Sequence, residues 1–286
     1  MIVDYHTHTA LCKHGSGTVQ DFVLRAIELG LDEIGCSEHI PMPERFDEVH
    51  RMTLDEYNAI YAPAVSDAAE RFKGSITVRR GIEADFFAGT EAWVRRFIDE
   101  NEFDYVIGSV HFLGEWGFDN PVFVHRYEER DIDQTYEQYF ATVANSARSG
   151  LFDVIAHCDL VKKFGHRPTK SMAEPMRAMM QVIRDHDLAI EINTSGLRKP
   201  VAEPYPGAEL LALAKELRVP ITLGSDAHVP EDVAAGFTEA VELLEHYARG
   251  RLSVFEKRQR KDVRVSRLRK ARRGDSRLTK ANDRVS

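Results

Sequence analysis

Residues 2–8 read Ile2-Val3-Asp4-Tyr5-His6-Thr7-His8. A short apolar run passes directly into two histidines one residue apart. Side chains alternate with period two along an extended strand, so His6 and His8 face the same side. The device recurs late in the chain, where the apolar run 220–225 is followed by Asp226-Ala227-His228. Five further short apolar runs lie between them, at 33–37, 76–83, 105–110, 153–157 and 189–193. Each closes on a polar side chain suited to chemistry: His39, Glu83, His111, His157 and Asn193 in turn.

Segments of helical periodicity separate these runs, at about 18–30, 53–72, 90–101, 131–149, 173–187, 207–218 and 231–249. Thr53-Leu54-Asp55-Glu56 has the spacing of a capping box at the start of the second. Seven strand–helix units in a row imply a parallel sheet. No second block of composition interrupts them, which favours one closed barrel over an open doubly wound sheet. A barrel of eight such units typically takes about 250 residues, so seven with some long loops fit. The expectation is a single α/β barrel domain over residues 1–250.

Charge divides the chain differently. Residues 251–286 hold 14 Lys/Arg against 4 Asp/Glu, net +10, and the remainder holds 24 against 42, net −18. The low apolar content of 256–273 predicts a solvated, partly disordered basic tail over 251–286. An acidic body repels nucleic acid, so only the tail could attract it. At 43% hydrophobic and 29% charged the composition is that of a soluble globular protein. No apolar run approaches the roughly 18 residues that span a bilayer, which excludes a membrane partner. The opening MIVDYHTHT lacks the basic and apolar regions of a signal peptide. Three cysteines, Cys12, Cys36 and Cys158, make no disulfide framework, and a cytoplasmic location is expected. There is no G-x-G-x-x-G after the first strand, no phosphate-binding G-x-x-x-x-G-K-[ST] and no G-x-S-x-G. Nucleotide-cofactor and serine-nucleophile chemistry therefore lose their usual support.

The C-terminal ends of barrel strands converge on one mouth, where the active sites of such folds sit. His6, His8, His39, Glu83, His111, His157, Asp226 and His228 all fall there, and His14 can fold back over it from the first loop. Seven imidazoles and two carboxylates form a ligand set for zinc, manganese or iron. Cys36 and Cys158 neighbour it but do not repeat at ligand spacing. His50, His125, His166, His186 and His246 lie in loops or helices, outside the set.

These residues carry a resemblance. His6-Thr-His8, Ser37-Glu-His39, Gly81-Ile-Glu83, Gly108-Ser-Val-His111, His157 and Ser225-Asp-Ala-His228 resemble the motifs of the PHP family, named for polymerase and histidinol phosphatase. Phe112-Leu-Gly with Trp116-Gly-Phe-Asp119, His157-Cys-Asp-Leu-Val and Asn193-Thr-Ser-Gly-Leu-Arg198 are similar to its histidinol-phosphatase branch. The likeness covers roughly residues 1–240. It implies a distorted (β/α)7 TIM-like barrel, the PHP fold, holding two or three divalent transition-metal ions. It assigns His6, His8, Glu83 and Asp226 to one metal. His14, His39 and His228 go to a second, and His111 and His157 to a third, with Glu83 bridging. Where the family often has a phosphate-gripping arginine, this chain has Lys162, then Lys163. Lysine binds phosphate as a point charge, without the guanidinium fork.

The implied activity is metal-dependent hydrolysis of a phosphate monoester, histidinol phosphate, in histidine biosynthesis. Clustered metals supply a nucleophile by lowering the pKa of bound water to about 7, and they neutralise phosphoryl charge. Arg198 with Lys162 and Lys163 would hold the phosphate, and Asp226 or His228 would deliver the proton to the leaving alcohol. Asn193, Trp116 and Asp119 are further candidates for substrate contact, the last two on the long loop 112–130. Two alternatives stay open: another small phosphomonoester or a nucleic-acid end as substrate, and a metal-binding barrel without catalysis.

Overall fold

The computed structural model describes residues 1–266. Its strands in chain order are β1 (Val3–Asp4), β2 (Glu33–Cys36), β3 (Thr77–Asp85) and β4 (Tyr105–Ser109). A two-residue ribbon follows, β5 (Phe112–Leu113) and β6 (Trp116–Gly117). Then come β7 (Val154–Ile155), β8 (Ala189–Asn193), β9 (Ile221–Gly224), β10 (Arg251–Glu256) and β11 (Gln259–Arg264). Seven of them form one parallel sheet in the order β1-β2-β3-β4-β7-β8-β9. The sheet closes on itself past the named ends of its outer strands. Tyr5 N–H donates to Leu223 O at 3.0 Å, and His8 N–H to Ala227 O at 2.8 Å. This is the expected seven-fold barrel.

The helices that cover it are α1 (Val19–Leu29), α2 (Leu54–Glu56), α3 (Ala62–Arg71) and α4 (Glu91–Glu100). They continue with α5 (Ile132–Arg148), α6 (Ala173–Asp185), α7 (Ala208–Leu217) and α8 (Phe237–Ala248). Sequence chemistry fixes several ends. The capping box at Thr53 forms, with Glu56 N–H donating to Thr53 Oγ1 and Thr53 N–H to the Glu56 carboxylate. The helix expected over 53–72 widens at Tyr57–Tyr61, where Ala62 N–H reaches back to Tyr57 O. Pro63 follows at once; its ring would crowd the carbonyl four residues earlier in a regular α-turn.

The barrel interior is filled by Tyr105, whose hydroxyl donates to Tyr5 O at 2.6 Å. Gly35 and Gly81 make the room, since a Cβ at either would come within 1.8 Å or 2.3 Å of Tyr105 side-chain atoms. Tyr5 stacks on Tyr105 at 4.7 Å, and Phe255 lies 6.2 Å from both rings. Phe255 belongs to β10, and that corrects the expected domain boundary. Residues 251–264 form an antiparallel hairpin rather than a tail. Leu252, Val254 and Phe255 are buried beneath the barrel, and Arg258 binds the Asp153 carboxylate at 2.8 Å. Composition explains the error: the apolar residues of β10, Leu252, Val254 and Phe255, are few, and the surrounding arginines hide them in an average. The remaining tail, 267–286, lies outside the described residues.

Candidate metal centre

Glu83 stands at the centre of the mouth. It is 1% exposed, near the end of β3, one of the longest interior strands. Its Oε1 lies 3.3 Å from His6 Nε2, 3.1 Å from His157 Nε2 and 3.7 Å from His111 Nε2. Its Oε2 lies 2.7 Å from His39 Nδ1 and 3.4 Å from His8 Nε2. Across the opening, Asp226 Oδ1 is 3.5 Å from His8 and 3.9 Å from His6. Asp226 takes a φ of 51°, a left-handed backbone rare for a side chain of its kind, which turns its carboxylate into the mouth. His228 stacks on His8 at 4.4 Å and lies 4.7 Å from His14. All nine expected ligands are therefore brought to one opening.

The grouping differs in detail from the implied partition. Ligand atoms lie within 4.8 Å of one another in the sets His6–His8–Asp226, His6–Glu83–His157, His8–His39–His228 and Cys12–His14–His228. His39 thus sits with His8 as well as with His228. Cys12, absent from the sequence reading of the site, adjoins His14.

A second circle of acids aims the imidazoles. Glu191 accepts from His6 Nδ1 at 2.9 Å, Glu38 lies 3.3 Å from His8 Nδ1, and Asp85 lies 2.7 Å from His111 Nδ1. Such partners fix the ring tautomer and turn the other nitrogen toward the metal. Arg51 holds Asp85 in turn at 2.9 Å. A signal for two of these acids was available: Asp85 follows Glu83, and Glu191 precedes Asn193, at the period-two spacing that points both into the barrel. Arg51 had none, since only the fold brings its loop to β3.

The cluster fits cations. Among the described residues, His6 Nε2, His8 Nε2 and His157 Nδ1 are buried polar atoms without hydrogen-bond partners. Each such orphan costs about 1–3 kcal/mol, and a metal would satisfy several together. Imidazole with carboxylate is the donor set of zinc, iron or manganese. Electrostatics keep the ligands in binding form. Burial opposes the Glu83 charge, but His6, His39 and His111 outweigh it and hold its pKa well below the carboxylate range. Asp226 is held down in the same way by His6, His228 and His8. Burial, with His8 nearby, lowers His39 and His228, and burial with His39 takes His14 down to about 4.

Three expected substrate contacts are corrected. Lys162 is buried, with Nζ 2.8 Å from Asp159, 3.2 Å from Glu203 and donating to Pro204 O at 2.9 Å. Trp116 is 1% exposed, packed against Tyr127 beneath the Arg130 guanidinium. Asn193 is fully buried, donating to Glu191 at 2.8 Å and to Asp226 at 3.2 Å, so it orients two acids. Lys163 and Asp119 pair at 3.0 Å, and the pKa of Asp119 is pulled down by Lys163 and His111. Arg198 donates to Ser225 O at 2.8 Å and binds Asp232 at 3.1 Å, beside the Asp226 turn. Lys199, which the sequence did not single out, is open to solvent within electrostatic reach of Lys163 and Asp226.

A closed parallel barrel with such a cluster at its C-terminal mouth defines a metal-site β/α barrel. The PHP domain model matches residues 4–195, and the PHP-associated model matches 209–251. The chain belongs to the PHP family. It is 43% identical to the Deinococcus radiodurans protein named probable histidinol-phosphatase, over 90% of this chain and 97% of that one. It is 29% identical to the Bacillus subtilis histidinol-phosphatase, over 84% of this chain and 98% of that one. Among solved structures, the Lactococcus lactis histidinol phosphate phosphatase, complexed with zinc, L-histidinol and phosphate, has the same fold. It is 23% identical, with a TM-score of 0.74, covering 91% of this chain and 98% of that one.

Proposed function

We propose that this chain is a histidinol-phosphatase, hydrolysing L-histidinol phosphate to L-histidinol and phosphate as a step of histidine biosynthesis. The observation that carries the reading is the convergence of seven imidazoles and Asp226 with Glu83 on one mouth, in a chain 43% identical to a relative of that name along nearly its whole length. The three cysteines are all free and buried, which supports a cytoplasmic site of action.

His6, His8, Glu83 and Asp226 would hold one divalent ion, His14, His39 and His228 a second, and His111 and His157 with Glu83 a third. Two or three ions, zinc, iron or manganese, would supply an activated water and charge neutralisation at phosphorus. The chain's own groups do the rest. Lys163, Lys199 and Arg198 place three cations at the rim, where a phosphate dianion enters. Asp119 offers a carboxylate to the ammonium or imidazole of the substrate. Asp226, whose Oδ2 accepts from Ser195 at 3.0 Å and from Asn193 at 3.2 Å, would take a proton from the attacking water. As the ester P–O bond breaks, that proton passes to the leaving alkoxide, with His228 beside it as the alternative carrier.

The test is hydrolysis by the metal-loaded protein across a panel of phosphomonoesters. Histidinol phosphate should be turned over with a kcat/KM at least about 100-fold above that for simple sugar or serine phosphates. Equal or faster hydrolysis of the others would transfer the assignment to a different phosphomonoester.

A further inference from the structure

At the opposite end of the barrel lies a cavity of about 430 Å³, bounded by the ends of α6, α7 and α8, the start of β9 and the hairpin β10–β11. Six cationic side chains line it: Arg184, Lys215, Arg218, Arg249, Arg251 and Arg260. Among the described residues, two acids accompany them in the lining, Asp187 and Asp262. Arg260 is matched to Asp187 and Arg251 to Asp262, at 2.8 Å and 3.0 Å. Arg184 gives its Nε to Leu217 O, and Lys215 lies over the Tyr247 ring. The cavity therefore carries four positive charges in excess, in a chain whose first 250 residues are net −18.

Basic residues near helix C-termini complement the helix dipole, and that accounts for one cation per helix. It does not account for six around one hollow. Arg218 and Arg249 add a second point. Both cap their helices in the left-handed conformation, with φ of 59° and 54°, where glycine is ordinarily favoured. Two arginines accept that cost at equivalent ends of α7 and α8, and both residues border the same cavity.

We propose that this cavity is a second ligand site, which takes a small, multiply charged, phosphate-bearing anion. Its volume lies within the range of small-molecule pockets, and a guanidinium fork matches phosphate oxygens in pairs. A hollow of this size suits a compact anion better than the extended backbone of a nucleic acid. The site is remote from the metal cluster: Pro220 and Ile221 line it at the start of β9, whereas Asp226 and His228 follow the end of that strand.

The probe is inorganic pyrophosphate, titrated calorimetrically into the metal-loaded full chain and into the double variant Arg218→Gly, Arg249→Gly. Glycine suits the left-handed backbone at both positions, so the variant should fold and keep its Tm. If it does not fold, Lys215→Gln serves the same comparison. The parent should bind about one equivalent more than the variant, or bind it at least about tenfold more tightly. Hydrolysis at the mouth should be the same in both proteins, which separates this site from the metal cluster. Indistinguishable isotherms would overturn the proposal. So would arginine-dependent binding of a single-stranded oligonucleotide without binding of pyrophosphate, which would make the face a nucleic-acid surface.

Discussion

Single side chains divide the mouth into groups that ligate, groups that aim and groups that only hold the scaffold. Glu83 faces five imidazoles, and its neutral amide would neither bridge metals nor balance their charge. Glu83→Gln should lower kcat/KM by about 100-fold or more and reduce bound metal, measured by kinetics with elemental analysis. Near-parental activity with full metal content would remove Glu83 from the centre of the site. Asp85 touches His111 and Arg51 but no reacting group. Asp85→Asn should weaken metal binding or activity by about 10- to 100-fold while the fold persists, seen as a shifted metal titration. The two lysines that follow Asp159-Leu160-Val161 have opposite expectations. Lys163→Ala should raise KM for the phosphate ester. Lys162→Gln breaks a buried pair with Asp159, so it should cost about 3–5 kcal/mol in urea unfolding and leave KM nearly unchanged. A raised KM for Lys162→Gln with normal stability would restore the phosphate role that the sequence suggested.

Among elements, the hairpin β10–β11 was least legible beforehand. Its strands carry arginine and lysine outward, and its apolar residues number only a few. They become meaningful once the barrel floor is present, because Tyr5 and Tyr105 offer a surface for Phe255. Phe255→Ala should destabilise the protein by about 3–5 kcal/mol without altering metal content, read from denaturant midpoints. An unchanged midpoint would show that the hairpin adds no stability to the barrel. The seven parallel strands were legible for the opposite reason. Most are buried on both faces, and they therefore appear as short, largely apolar runs between helical segments.

At the scale of the whole molecule, the cluster couples folding to metal and to protons. Seven imidazoles in one mouth leave buried nitrogens unsatisfied without ions. Chelation should therefore abolish phosphatase activity and also lower Tm, and re-addition of zinc, iron or manganese should restore both. The pH dependence has a definite sign. Folding lowers His14 from the ordinary 6.5 to about 4 and lowers His39 and His228 as well. The unfolded chain thus binds more protons as pH falls through this range, so stability of the metal-free protein should fall from about pH 6.5 to about 4. Protons compete with metal at the same nitrogens, so occupancy should fall in the same direction. His6 and His111 are raised and act in the opposite sense, above neutrality. Tm and bound metal measured together at about pH 7.5 and about pH 5 test this; a Tm that stayed constant in metal-free protein would contradict the assignment.

Order along the chain was enough to place the strands, the closed barrel and the nine candidate ligands. All three follow from local period and from the rule that parallel strand ends share a mouth. Family likeness carried the phosphatase reading from the same motifs. What lies across the barrel was out of reach. Glu38, Glu191 and Asp85 gain their meaning from which imidazole stands opposite. Lys162 and Trp116 lose theirs because packing turns them inward. The hairpin and its cationic cavity join residues 184–262 around one hollow. Contacts between distant segments depend on how helices and loops fill the volume around the sheet, and that filling is set by side-chain packing in three dimensions rather than by any period along the chain.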